Sequence, residues 1–352
     1  MTEVILKDIT KRFKTVTAVD GVSFEITDGE FFVLLGPTGA GKTTTLRLIA
    51  GLEKLDSGSI LFDGQVMNDL TPASRDVAMV FQQYSLYPNM TVYDNLAFPL
   101  RSPVNKLLED EIRRRVEEAC EILRITHLIE RKTAHLSGGE MQRVSIGRAI
   151  VREPRLFLMD EPLSNLDAKL REALRVELEH IQKTQGSTTL FVTHDQVEAL
   201  TMADRIGVLL EGKLVQLGDP NEIYDRPATI YVAQLVGTPR INLMKAERDN
   251  GLLHVEDSPI RIPFEGHEGE VPVSCQLGVR PEDIQPDNDG QFAGEIVLTE
   301  PLGVETVLHI KCGEQTLLST QSGITHWHYG DEIRFNIIRQ RLHFFDEEGS
   351  RI

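Results

Sequence analysis

The sequence predicts an α/β domain built on a parallel sheet, followed by an all-β domain. Three observations carry this. Short apolar runs alternate with helix-like periods from the start of the chain to about residue 236. Several of these runs, such as "EFFVLLG" (30–36), "RLFLMDEP" (155–162) and "TTLFVTHD" (188–195), are apolar almost throughout, as strands covered on both faces are. From residue 237 to 352 the pattern changes to short alternating segments broken by Gly, Pro and Asp, with no long helical period.

In chain order, "EVILKDI" and "VSFEI" alternate apolar and polar residues and read as half-buried strands. "EFFVLLG" reads as a buried strand, and a helix follows from Lys42 to Gly51. "GSILFDGQVM" is a hairpin with Asp63-Gly64 at its turn. "VAMVFQ" is a further buried strand. Residues 105–124 and 167–185 have the period of charged amphipathic helices, the second closed by Gly186 as a C-cap. Between them a helix over 138–152 opens on Ser137 and Glu140, the S-x-x-E of a capping box. Beyond the boundary, "GEIVLTEPLG", "ETVLHIK" and "DEIRFNII" are strand-like.

The 352 residues suit about two domains of ~150 residues each. Hydrophobic residues at 41% and charged residues at 26% are the balance of a soluble protein with a sizeable core. A net charge of −17 argues against nucleic acid as the main partner, because binding a phosphate backbone requires a basic surface. No apolar run approaches the ~18 residues of a membrane span, and "MTEVILKDITKRFK" has no secretory pattern. The three cysteines, Cys120, Cys275 and Cys312, lack metal-ligand or redox spacing, which points to a reducing cytoplasm.

"GPTGAGKT" (36–43) fits G-x-x-x-x-G-K-[ST] between a buried strand and a helix, the context the phosphate-binding loop demands. The stretch Gly36, Pro37, Thr38, Gly39, Ala40, Gly41, Lys42, Thr43 and Thr44 is therefore the expected nucleotide cradle. Its glycines let the main chain close around phosphate oxygens, and the helix N-terminus adds a positive dipole end. Lys42 is expected at the β- and γ-phosphates and the Thr43 hydroxyl on Mg²⁺. "RLFLMDEP" ends in two acids: Asp160 to hold magnesium, Glu161 to orient and polarise the attacking water. His194 and Gln82 each end a buried strand at the sheet edge where ligands bind in open α/β folds.

"TAHLSGGEMQR" (133–143) poses a question, because a capping box has no need of two consecutive glycines and the chain already has one phosphate loop. "LSGGE" (136–140), preceded by that loop and followed by "LFLMDEP", "SNLD" (164–167) and "VTHD" (192–195), resembles the nucleotide-binding subunit of ABC transporters. The resemblance covers residues 1–236 and implies an α/β P-loop NTPase, an ABC ATPase with a helical subdomain at about 85–155. It implies that two copies pair head to tail, each ATP lying between the phosphate loop of one and the SGG turn of the other. Ser137, Gly138 and Gly139 are then ligands of the partner copy's γ-phosphate. Phe13 falls where an aromatic ring stacks on adenine, Gln82 where a glutamine senses Mg²⁺ or water, Asp167 where the dimer-contacting loop closes and His194 where a switch histidine meets the γ-phosphate. Glu140 and Met141 stand where many relatives have glutamines.

"LVGTPRINLMKAE", "LGVRPEDI", "LTEPLGVETVLHIK" and "LHFFDEEGSRI" resemble the C-terminal OB-like, TOBE-type domain of the maltose-type importer ATPases, which stabilises the dimer or takes regulatory input. "YSLYPNMTVYDNLAFPL" (84–100) is similar to the stretch near the groove for a permease's coupling helix, with Tyr84, Leu86, Tyr87 and Met90 as groove residues. The resemblance implies two membrane permease partners, a solute-binding protein served indirectly, and a peripheral position on the cytoplasmic face of the plasma membrane. A sugar or sugar derivative is the expected solute, with polyamine, glycerol-phosphate, iron or sulfate uptake as alternatives. A DNA-repair, chromosome or ribosome-directed ATPase is disfavoured: only about 94 residues separate Thr43 from Ser137, a domain insert rather than a coiled coil, and the chain has one ATP module.

Overall fold

The computed structural model describes residues 2–102, 107–264 and 272–352. The chain divides into two compact units, Met1–Pro220 and Asn221–Ile352. Residues 221–236, grouped with the α/β domain on sequence pattern, fall in the second unit.

The first unit comprises β1 (Val4–Phe13), β2 (Val16–Ile26), β3 (Phe31–Leu35), α1 (Lys42–Ala50), β4 (Ser57–Phe62), β5 (Gln65–Val66), β6 (Val77–Val80), α2 (Val92–Ala97), α3 (Glu109–Ile122), α4 (Gly138–Ile150), β7 (Leu156–Asp160), α5 (Ala168–Gln185), β8 (Thr188–Thr193), α6 (Gln196–Met202), β9 (Arg205–Leu210) and β10 (Lys213–Gly218). Six strands form one sheet in the order β10-β9-β3-β8-β7-β6, parallel except for the β10–β9 pair. Every residue of β3, β7 and β8 is buried, the outcome their continuous apolar runs predict.

The alternating strands β1 and β2 do not join that sheet. They form a separate antiparallel one, β2-β1-β4-β5. In β2, Val22, Phe24 and Ile26 are buried while Ser23 and Glu25 are exposed. A strand with one wet face cannot sit inside a sheet covered on both faces. The Asp63-Gly64 hairpin forms between β4 and β5, both turn residues at positive φ (47° and 77°) as a two-residue turn needs. The apolar sides of this sheet, Val4, Leu6 and Ile9, share one core with Phe32 and Leu34 of β3 and Leu46 and Ile49 of α1.

Helices α2, α3 and α4 occupy the stretch expected to be helical. α3 is shorter than the 105–124 expected from its period: the chain turns at Arg124 with φ of 55°, and residues 105 and 106 lie outside the described residues. α4 ends near its expected limit, and α5 stops at Gly186 in the left-handed conformation (φ 61°). No described helix is long and apolar enough to cross a membrane.

Among its described residues the second unit holds α7 (Pro220–Asp225, beginning on the last residue of the first unit), α8 (Ile230–Leu235) and ten strands: β11 (Asn242–Asp249), β12 (Leu252–Val255), β13 (Arg261–Pro263), β14 (Ser274–Val279), β15 (Ile284–Pro286), β16 (Phe292–Pro301), β17 (Glu305–Cys312), β18 (Gln315–Ser322), β19 (Glu332–Ile337) and β20 (His343–Phe345). They make two antiparallel five-stranded sheets, β13-β12-β11-β14-β20 and β15-β19-β16-β17-β18. Met244, Leu253 and Leu277 of one meet Ile296, Leu308 and Phe335 of the other in a shared core, giving the barrel-like all-β domain expected. The grouping of 221–236 with this unit has a local cause. The buried Arg280 guanidinium donates to Tyr224, Ala233 and Val236 carbonyls and lies 4.1 Å from the Tyr224 ring centroid. One side chain thus satisfies the C-terminal carbonyls of α8 and holds both helices to the β domain. Cys120, Cys275 and Cys312 are all buried free thiols.

Candidate active site

Parallel register brings separate stretches of sequence to one edge. Leu35 of β3 pairs with Thr193 of β8, and Asp160 of β7 pairs with Val192 of β8. The loops leaving these strands therefore open side by side: the phosphate loop after β3, Glu161 after β7, His194 after β8. Open α/β sheets bind ligands at this carboxyl edge.

The loop's glycines have distinct roles. At Gly41 φ is 102°, and a Cβ there would lie 2.3 Å from the Ala18 carbonyl oxygen. At Gly39 φ is 85°, but no atom lies within 4 Å of a Cβ. Gly41 meets both a conformational and a steric demand, Gly39 only the first. Gly41→Ala is accordingly expected to cost about 1–3 kcal/mol of stability and to weaken ATP binding, with Gly39→Ala the milder of the two. Thermal unfolding and nucleotide titration of the pair check this; equal effects would contradict it. α1 is flanked by the left-handed Gly41 and Gly51, and the buried Arg75 donates to the Leu48 and Ile49 carbonyls in its last turn.

A cavity of about 350 Å³ is lined by Ala18, Thr38, Gly39, Gly41, Lys42, Thr43, Thr44, Gln82 and Glu161. Lys42, only 4% exposed, donates to the carbonyls of Gly36 and Pro37 at 2.9 and 3.0 Å. Burial pulls its pKa down, and Glu161 and Asp160 oppose that. Thr43 Oγ1 donates to Asp160 Oδ1 at 2.8 Å, and burial pushes the Asp160 carboxyl up. A hydroxyl beside one carboxylate offers hard oxygen donors but too few for an all-protein cage. That matches magnesium, which binds through one or two protein oxygens plus substrate phosphates.

Glu161 is the meeting point. Its Oε1 lies 3.5 Å from Lys42 Nζ; its Oε2 accepts from Gln82 Nε2 at 3.3 Å and lies 3.1 Å from His194 Nδ1. Three groups drawn from stretches 42, 82 and 194 thus converge on one carboxylate. The residue is held at φ 45°, a left-handed value that costs a non-glycine residue of order 1–3 kcal/mol and gathers at functional sites. Its N–H bonds the Val192 carbonyl at 3.0 Å, which anchors that conformation.

Other expected site residues lie apart from this cavity. Phe13 ends β1, is 41% exposed and has Lys11 Nζ 5.1 Å from its ring centroid. Ser137, Gly138 and Gly139 are absent from the cavity lining and form the first turn of α4. The capping box is complete: Ser137 N donates to Glu140 Oε2 at 2.7 Å and Glu140 N to Ser137 Oγ at 3.4 Å. The two glycines have neighbours inside the chain. A Cβ on Gly139 would strike Leu170 Cδ2 at 2.1 Å, and one on Gly138 would come 3.0 Å from the Tyr84 hydroxyl. Gly139 thus lies against the end of the Leu170 side chain within its own chain, whereas Ser137 stays exposed.

Apart from Asp167, sequence reasoning did not single out the residues that hold these loops. Arg171 on α5 donates to the Leu166 carbonyl at 3.1 Å and to Asp195 Oδ2 at 3.3 Å, tying the loop before Asp167 to the loop bearing His194. Asp195 caps α6 by accepting from Val197 N, and Asp167 caps α5 by accepting from Leu170 N. Asn165 Nδ2 donates to the Gln82 carbonyl at 3.3 Å, and Arg148 of α4 donates to the Ser85 carbonyl at 2.7 Å. Capping residues carry a local signal; the arginines carry none, being 24 and 63 residues from their partners.

Of the expected groove residues, Tyr87 lines an apolar cavity of about 490 Å³ with Leu52, Met79, Phe81, Phe98 and Arg148. Its ring lies 4.7 Å from that of Phe98. Tyr84, Leu86 and Met90 are not part of that lining.

Residues 19–164 match the ABC transporter family and residues 277–345 the TOBE domain. The chain is 44% identical to the sn-glycerol-3-phosphate import ATP-binding protein UgpC of Ruegeria sp. (strain TM1040), over 100% of this chain and 99% of that protein. It is 44% identical to the trehalose/maltose import ATP-binding protein MalK of Thermococcus litoralis, over 99% and 98%. It is 42% identical to the alpha-glucoside transport ATP-binding protein AglK of Rhizobium meliloti, over 99% of each. Among solved structures, the dimeric post-hydrolysis ATP-binding cassette MJ0796 with ADP and Pi is similar at 32% identity and TM-score 0.57, over 62% of this chain and 98% of that one.

Proposed function

This chain belongs to the ABC transporter family as an ATP-hydrolysing subunit of an importer, and from that premise we propose that it powers uptake of a sugar or sugar derivative. Two copies pair head to tail around two Mg-ATP, each phosphate loop facing the Ser137-Gly138-Gly139 turn of its twin. A dimeric cassette among similar structures supports the pairing. Exposed Ser137, lying off its own chain's cavity, is consistent with a role toward a second copy. The subunit sits peripherally on the cytoplasmic face of the membrane, joined to two permease subunits and through them to a solute-binding protein, with no nucleic-acid partner.

The convergence on Glu161 carries the catalytic assignment. Phosphoryl transfer is mostly positioning and charge neutralisation. The backbone amides from Gly39 to Thr44 and the Lys42 ammonium bind the phosphates. Glu161 accepts a proton from the attacking water, with Gln82 and His194 orienting it. Phe13 stacks on the adenine ring. Thr43 and Asp160 would hold magnesium with Gln82 beside them, and the ion supplies charge neutralisation at the phosphate oxygens when bound. The apolar cavity at Tyr87 suits an apolar permease helix.

The relatives' substrates, trehalose, maltose, alpha-glucosides and sn-glycerol-3-phosphate, are polyhydroxylated, which favours a sugar and keeps glycerol phosphate as the second reading. Purification in detergent is expected to bring down two membrane proteins. Proteoliposomes containing that complex and its binding protein should hydrolyse ATP faster with maltose or trehalose than with sn-glycerol-3-phosphate. Stable ribosome or DNA association without membrane partners would overturn the importer role; stimulation by glycerol phosphate alone would reverse the solute order.

A further inference from the structure

The second unit contains a polar cavity of about 470 Å³ to which the ATP site contributes nothing. Arg226, Arg341 and Arg351 line it, together with Gln340, His343 and Asp225. In a chain with 37 Lys and Arg against 54 Asp and Glu, three guanidinium groups around one cavity run against the composition.

The surrounding contacts report a positive field. Arg351 Nη1 lies 3.2 Å from His343 Nδ1. A guanidinium only donates, so this imidazole nitrogen accepts and the ring proton resides on Nε2. His343 is 5% exposed; burial, with Arg280, Arg351 and Arg341 close by, pushes its pKa down to about 4, so it stays neutral at pH 7. Burial and the charge of Arg226 lower the Arg351 pKa as well. The opposing acids are partly committed. Asp283, fully buried, pairs with Arg341 at 3.0 Å, and its carboxyl is pushed up to about 6 by burial; Asp225 lies 3.7 Å from the same guanidinium.

We propose that this cavity binds a small phosphate-bearing anion, inorganic phosphate or a phosphate monoester, through Arg226, Arg341 and Arg351. Guanidinium forks match phosphate oxygens two at a time, which suits the arginines that line this cavity. The neutral His343 and Gln340 add hydrogen-bonding capacity without charge. The volume exceeds that of bare phosphate and lies within the ~300–1,000 Å³ of small-molecule pockets, leaving room for an organic substituent. The site is separate from ATP hydrolysis and makes the all-β unit a receiver of a soluble metabolite.

Calorimetric titration of the full chain, its phosphate loop saturated with Mg-ADP, tests this with inorganic phosphate and sn-glycerol-3-phosphate as probes. One further equivalent should bind. Arg351→Gln and Arg226→Gln should each weaken it roughly tenfold or more, and Arg351→Lys less, with ADP affinity unchanged. Arg341→Gln is a poor choice because it strands the buried Asp283. Tighter binding of glycerol phosphate than of phosphate identifies an ester; equal binding identifies the phosphate group alone. Absence of a further equivalent, binding untouched by both glutamine variants, or stronger binding of succinate than of either phosphate would overturn the proposal.

Discussion

Glu161→Gln is expected to lower ATP turnover by about 10²–10⁴-fold while leaving ATP binding intact, the contribution typical of a positioned general base. A loss of 10² corresponds to about 2.7 kcal/mol of barrier. The amide keeps the size and hydrogen-bonding reach of the carboxylate, so contacts to Gln82 and His194 can persist. The Lys42 contact at 3.5 Å weakens because the charge is gone, which favours lysine–phosphate contact over lysine–Glu161 contact. The variant should therefore accumulate as a dimer with ATP enclosed, visible by size-exclusion chromatography with Mg-ATP. Turnover within a few-fold of the parent would remove Glu161 from the base role. Loss of ATP binding would show instead that its work is structural.

The second large effect is expected at Ser137. Ser137→Arg should abolish hydrolysis and ATP-driven dimerisation while each copy still binds nucleotide, because the substituted side chain obstructs the partner's site. Ser137 also caps α4, and losing a cap costs about 1 kcal/mol, so the arginine variant alone would mix two effects. Ser137→Ala separates them: it loses the cap but adds no bulk. Reduced stability in both variants, with hydrolysis weakened in the alanine variant, which loses the hydroxyl, and abolished only in the arginine variant, is the expected pattern. Full turnover in Ser137→Arg, or activity from a strictly monomeric chain, would eliminate the shared site.

Features that depend on a few consecutive residues were legible in the sequence. The phosphate loop is one unbroken stretch whose backbone angles select glycine at 39 and 41. The capping box at Ser137 and the left-handed Gly186 are equally local. Burial on both faces of β3, β7 and β8 shows in their composition, since no polar side chain can be accommodated there without a partner.

Which strands share a sheet was not legible. Alternation marks β1 and β2 as half-exposed, yet only pairing with β4 puts them in their own antiparallel sheet. The assignment of 221–236 depended on Arg280, more than forty residues further on, whose guanidinium closes α8. Gly139 reads in the sequence as a position open to phosphate; that it also lies against Leu170, thirty-one residues further on, is visible only in the fold.

The motifs proposed to carry the chain's chemistry, the phosphate loop, the paired acids and the Ser-Gly-Gly turn, are visible in the sequence because each is a contiguous run whose backbone conformation selects its own residues. The convergence of Lys42, Gln82 and His194 on Glu161, the arginine links between loops and the basic cavity of the β unit belong to tertiary structure alone. Each joins side chains distant along the chain, and strand register and packing, which no local pattern encodes, determine which of them meet.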